Sequence, residues 1–438
     1  MAAASEGSPS SSSAAEERRS IGLGSLFALG VNGIVGVGIF FTPATIAALV
    51  PGETGALAYL ATACLLAPVA LTASLLGRQL AVNGGPYVWA RAAFGPVVAW
   101  LVGWVAAVSA VLSTAAVFAG VGTQLSASFG AFAGRTLSAV ACATLLALIA
   151  LSGLRPSAWV WNGLTALKVV PLFLLLALAV VPLPARASAA ASGAALAGSV
   201  TAPPPGDFTR ALLVALFPLQ GFEVVPVLAG SARRAQHIVP YATVGALVFA
   251  ALLYAAIQVV CARAVPELGA SSAPLADAAR ALGGGEFAHL IELGANLSAL
   301  GIAFGMMVMT PRYLAALGAH APRLEFLSRS GARDIPHYAL LSTLAAVIVL
   351  STVESLESLF VLSSSAVLVQ YVAASASLIR LALRGAHGIS RLAALPALLA
   401  LGAAGLLAEA VEWRELVVLA ALLGLGLTAL VAPLLRRR

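Results

Sequence analysis

The sequence predicts an all-α integral membrane protein of twelve transmembrane helices, built as two inverted five-helix repeats with broken helices 1 and 6, plus two extra C-terminal helices. Three observations predict it. Hydrophobic residues make up 61% of the 438-residue chain and charged ones 9%, with mean hydropathy +1.01, which excludes one large soluble core. Twelve apolar stretches follow one another, each long enough to cross about 30 Å of hydrocarbon. The first and the sixth of them carry glycine and proline at mid-length.

Residues 1–20 form a Ser/Ala-rich polar tail ending in Arg18-Arg19, without the pattern of a signal peptide, and read as a disordered cytoplasmic leader. The spans lie near 21–48, 55–77, 95–125, 136–153, 157–182, 209–231, 239–263, 286–317, 337–353, 357–383, 392–408 and 415–434. The first repeat is thus 21–182 and the second 209–383. Helices 11 and 12 and a basic tail fill 392–438. With the N-terminus inside, only Arg135, Arg186, Arg210, Arg263, Arg280 and Arg414 fall outside; the other seventeen arginines face the cytoplasm. That bias supports an even number of spans and two cytoplasmic termini.

Net charge +7 and pI near 9.8 raise the question of nucleic acid. The arginines, however, sit in short clusters between apolar spans, which is membrane topology, so no nucleic-acid partner is expected. Cys64, Cys142 and Cys261 are isolated in apolar segments, and no disulfide, metal or cofactor is expected. The five histidines are scattered near loops, and no paired aspartates or His-x-x-x-His mark a membrane-embedded enzyme. Two connections are longer than turns. Residues 82–94 suit an interfacial helix across the inner mouth, and 274–282, before Gly283-Gly284-Gly285, an amphipathic external lid; ordinary loops are the alternative.

In the first span, Gly33, Gly36 and Gly38 fall within six positions, each costing roughly 1 kcal/mol against alanine in a helix. The flanks are apolar enough for the bilayer, where unpaired backbone survives only if buried or wet, so this helix is expected to break at mid-depth. In the sixth, Pro218, Gln220, Gly221 and Glu223 cluster, and proline removes an N–H and clashes with the preceding turn. Two broken spans, five helices apart, are the sign of an inverted repeat with a substrate site between the breaks at the midplane. Each break frees N–H groups that attract anions and C=O groups that attract cations.

Lys168 is the single lysine of the chain, midway along the fifth span among Leu167, Val169 and Val170. A charged amine there costs at least roughly 2.5 kcal/mol on insertion scales and marks a functional position, with snorkelling to an interface as the alternative. Glu223 has three open roles: accepting a proton, reading a cationic substrate or capping freed backbone. Gln220 stands beside the site. Ser109, Ser113 and Ser363 to Ser365 either line the pathway or serve helix contacts.

The run Gly33-Ile34-Val35-Gly36-Val37-Gly38-Ile39-Phe40 resembles the first-helix motif of the amino acid–polyamine–organocation (APC) superfamily of permeases. Gly84 to Pro96 is similar to its signature before the third helix, Gly221-Phe222-Glu223 to its sixth-helix break, and Arg312 to Pro336 to its basic loop after helix eight. The resemblance implies a LeuT-type fold in the cytoplasmic membrane that carries amino acids by alternating access. By position it implies that the N–H groups of Gly36, Val37 and Gly38 hold a substrate carboxylate. The carbonyls of Ile34 and of Leu216 or Phe217 would hold the ammonium, with the Phe217 ring as gate. It further implies that Lys168 replaces a bound sodium ion, so that protons are the coupling partner. An exchanger without net proton coupling, or a nutrient receptor, remains the alternative. The chain departs from the family at Gly230 to Ala235, where an acidic residue and Asn-Pro are common, and at Pro218 and Leu219.

Overall fold

The computed structural model describes residues 22–80, 85–129, 134–152, 158–180, 205–227, 229, 232, 234–318, 324–330 and 335–435. The expected leader, the basic tail at 436–438, the start of the 82–94 connection and the departure at 230, 231 and 233 lie outside them. In chain order the helices are α1 (Leu23–Ile34), α2 (Thr42–Leu49), α3 (Gly55–Gln79), α4 (Gly85–Phe94), α5 (Pro96–Phe129) and α6 (Arg135–Leu151). Then come α7 (Ala158–Val180), α8 (Pro205–Leu219), α9 (Val224–Val227), α10 (Ala235–Ala264), α11 (Pro274–Gly283) and α12 (Gly285–Gly318). The chain closes with α13 (Glu325–Ser328), α14 (His337–Val353), α15 (Leu356–Leu383), α16 (Ala394–Ala408) and α17 (Trp413–Leu435).

Among the described residues six stretches are long and apolar enough to cross a membrane: Gly55–Gln79, Pro96–Ser126, Ala235–Ala264, Gly285–Gly318, Leu356–Leu383 and Arg391–Ala408. Leucines such as Leu252, Leu293, Leu398 and Leu425 point outward, about half exposed or more, a surface that lipid covers and water does not tolerate. The protein is a multi-pass membrane protein. Prolines lie inside α3, α7, α10 and α12, as membrane helices tolerate.

The first apolar stretch is not one helix. α1 stops at Ile34, Val35 leaves helical geometry at ψ 87° and Gly36 is extended at φ −112°, ψ −166°. A 3-10 turn (Val37–Phe40) follows, and α2 restarts with Pro43 in its first turn, where no N–H is needed. The sixth stretch is interrupted likewise: α8 ends at Leu219, residues 220–223 form a turn, and α9 resumes.

The contacts between helices have a symmetry. α1 packs on α10 as α8 packs on α3; α5 packs on α15 as α12 packs on α7; α3 meets α10 and α5 meets α12. The lateral helices follow suit, α4 lying on α5 and α15, and α11 on α12 and α7. Exchanging the first five apolar stretches with the next five maps these pairings onto themselves. The broken helices cross over too, α8 touching α2 and α9 touching α1, so they run in opposite directions. Both lateral helices are amphipathic: α11 buries Leu275, Ala279 and Leu282 and exposes Arg280, while α4 buries Trp89, Ala90 and Ala93 and exposes Arg91.

One ionic cluster ties α8 to the C-terminal helices. Arg210 donates to both Glu415 carboxylate oxygens at 3.0 and 2.8 Å, to Glu357 at 3.4 Å and to the Ala410 carbonyl at 3.1 Å. In the loop before α3, the hydrogen bonds and charge of Arg263 hold the Glu53 carboxyl below its ordinary range.

Candidate functional site

The two breaks touch at Gly221. Its φ is +107°, which L side chains rarely adopt, and a Cβ there would fall on the Gly33 carbonyl and 2.9 Å from the Ile34 nitrogen. A second contact lies nearby, since a Cβ on Gly38 would come within 3.1 Å of Phe217 and Pro218. Around Gly36 the situation is opposite. Among the described residues a Cβ there would meet only the Ile34 carbonyl, at 3.6 Å, so space borders the bend of the first break.

Side chains engage one backbone group of each break, the Ile34 carbonyl in the first and the Gly221 N–H in the second. Tyr254 of α10, fully buried, donates its hydroxyl to the Ile34 carbonyl at 3.0 Å. Its ring stands edge-on to Tyr59 of α3, whose hydroxyl is 2.7 Å from Thr42 Oγ1 at the start of α2. The first break is thereby held from both sides. In the second break the Gly221 N–H donates to Glu223 Oε2 at 2.6 Å, and Tyr371 of α15 donates to Glu223 Oε1 at 2.9 Å. Glu223 caps backbone and bridges to α15 at once.

The Leu216 carbonyl accepts the Gln220 N–H at 3.0 Å and the Phe217 carbonyl shares it at 3.4 Å, leaving each oxygen a lone pair. The Phe217 ring packs on Phe360 of α15, centroids 4.4 Å apart. Gln220 Nε2 donates to Ser364 at 3.3 Å, and Ser113 and Ser363 pair at 2.6 Å between α5 and α15. Ser109 is buried in α5, and Ser365 is buried in α15 with no hydrogen-bond partner among the described residues. Hence Ile34, Gly36, Gly38, Leu216, Phe217, Gln220 and Glu223 gather in one region. Val37 belongs by its backbone. Lys168 lies on α7 by its backbone, its side chain being outside the described part; one turn on, Pro171 packs against Gly294 of α12.

Sequence reasoning missed Tyr254, Tyr371, Tyr59 and Phe360. A tyrosine deep in an apolar span was the available signal, because a buried phenol needs a partner for its hydroxyl. Among the described residues no group of three or more His, Cys, Asp or Glu side chains is arranged to hold a metal ion.

A multi-pass helical membrane protein with two discontinuous helices meeting at their breaks has the build of a transporter. The chain belongs to the amino acid permease family, whose model matches residues 21–431, and so to the APC superfamily; it is a transporter and not an enzyme. It is 30% identical over 84% of its length to an uncharacterized transporter of Mycobacterium tuberculosis, covering 81% of that protein. It is 27% identical over 74% of its length to a Pseudomonas aeruginosa protein named arginine/ornithine antiporter, covering 69% of it. A protein of Arabidopsis thaliana named cationic amino acid transporter 9, chloroplastic, is 28% identical over 63% of this chain and 51% of its own.

Proposed function

We propose that this protein carries amino acids across the cytoplasmic membrane by alternating access, in a LeuT-type fold of twelve crossings with both termini cytoplasmic. The observation that carries the reading is the space beside the extended backbone of Gly36, with Phe217 and Pro218 of α8 packed against Gly38 two residues on. An α-amino acid is a zwitterion. Its carboxylate would be held by the N–H groups of Gly36, Val37 and Gly38, and its ammonium by the second lone pairs of the Ile34 and Leu216 or Phe217 carbonyls. Phe217, stacked on Phe360, would close over the bound substrate. The exchange symmetry of the helix contacts supports the two inverted repeats, and with them a rocking motion about the breaks.

Coupling is assigned to Lys168. Protonated, its ammonium would bind carbonyls of the first break and tie α7 to it; deprotonated, it would let go, so a proton would do the work of a sodium ion. Glu223 accepts the Gly221 N–H at one oxygen and the Tyr371 hydroxyl at the other, and each oxygen keeps a further lone pair. With no excess of carboxylates around the breaks, a substrate with a small or apolar neutral side chain is the first reading. The second reading, exchange of cationic amino acids or amines read by Glu223, is favoured by the names of two relatives.

Substrate binding tests the site directly. Gly36→Leu would fill the space beside Ile34, and it should abolish binding of a labelled amino acid mixture to purified protein while the thermal midpoint stays within a few degrees. Undiminished binding in a folded Gly36→Leu protein would place the site elsewhere.

A further inference from the structure

We propose that the groove between α15, α16 and α4 is a binding site for an anionic phospholipid. An open groove of about 610 Å³ is lined by Phe94, Ala376, Ile379, Arg380, Leu383, Arg384 and Leu401. Its mouth is charged and its length is apolar. Ala376, Arg380 and Arg384 repeat every four residues, on one face of the last turns of α15, while Leu401 lies about two turns into α16. The site therefore runs from a pair of cations at the helix end toward the hydrocarbon depth, an order that suits a headgroup and the first part of its acyl chains.

The cations are unspent. Arg380 lies over the Phe94 ring, 4.9 Å from its centroid, which engages the face of the guanidinium and leaves its in-plane N–H donors for a phosphate. Among the described residues neither Arg380 nor Arg384 pairs with a carboxylate. Residues 85–95 and 376–401, which build this corner, also hold Arg91, His387 and Arg391 and not one Asp or Glu. Beneath the groove Trp89, Ala93, Leu378, Leu381, Ala382 and Ala397 form a buried cluster of their own, so its floor is packed. Basic pockets between membrane helices are places where anionic headgroups bind. Which leaflet supplies the lipid rests on the orientation proposed above; the lipid itself does not.

Retention of phosphatidylglycerol and phosphatidylcholine, offered at equal concentration to the detergent-purified full chain and read by native mass spectrometry, tests this. Phosphatidylglycerol should be retained about tenfold better, and Arg380→Gln with Arg384→Gln should remove that preference. Arg280→Gln with Arg414→Gln, away from the groove, should keep it. Should the double arginine variant fold poorly, Leu401→Trp narrows the groove with its charges intact and should lower phosphatidylglycerol retention. Equal retention of the two lipids, or a preference that survives the groove variants, overturns the proposal. Displacement of the lipid by millimolar inorganic phosphate also overturns it, making the pair a free-phosphate site.

Discussion

Gly221 is the residue on which the two breaks depend, since no other side chain fits between its turn and the Gly33 carbonyl. Gly221→Ala should cost about 3 kcal/mol, combining left-handed backbone strain with overpacking, and should show as a lowered thermal midpoint and lost uptake. Tyr254→Phe removes only the hydroxyl that serves Ile34. It should cost about 1 kcal/mol of stability, yet change substrate affinity by more than that, because it frees the carbonyl assigned to the ammonium; binding and thermal melts on one preparation check both. At this scale the glycine pattern and the Gln220 to Glu223 cluster were legible, because backbone demands are written in glycine and proline. Tyr254 and Tyr371 were not. Their partners lie 220 and 148 residues away in the chain, and no local pattern announces such a pair.

At the scale of elements, the break in the first apolar stretch stands at its glycines and that in the sixth at Gly221, just past Pro218, which α8 carries inside its last turn. The lateral helices α4 and α11 also form, the amphipathic pattern winning over ordinary loops. Packing partners were beyond reach, since apolar spans rich in alanine and leucine look alike from every side. The Arg210 cluster shows what that hides: an arginine read simply as an outside charge joins α8 to α15 and α17, with its side chain only 14% exposed and that of Glu415 only 6%. Arg210→Gln would strand the Glu415 carboxylate and should cost about 3 kcal/mol. Arg210→Lys should recover only part of it, because an ammonium cannot match the two-pronged contact. Thermal melts of the three proteins at low and high salt check this, and equal stability of all three would show the cluster to be idle.

The whole molecule is best described by the exchange symmetry of its helix contacts, which relates α1 to α8, α3 to α10 and α5 to α12. On the proposed reading, a carrier built this way would alternate by moving one set of helices against the other around a central site. Lys168→Ala should then remove the pH dependence of uptake while leaving substrate binding measurable, and unchanged pH dependence would relieve Lys168 of its coupling role. The most direct measurement is uptake of labelled amino acids into proteoliposomes holding the purified protein, with and without an inward proton gradient, the lumen empty or preloaded. Gradient-driven accumulation in empty vesicles is the expected result. Uptake only into preloaded vesicles would contradict proton coupling and make the protein an exchanger, and no uptake under any condition would contradict the carrier itself.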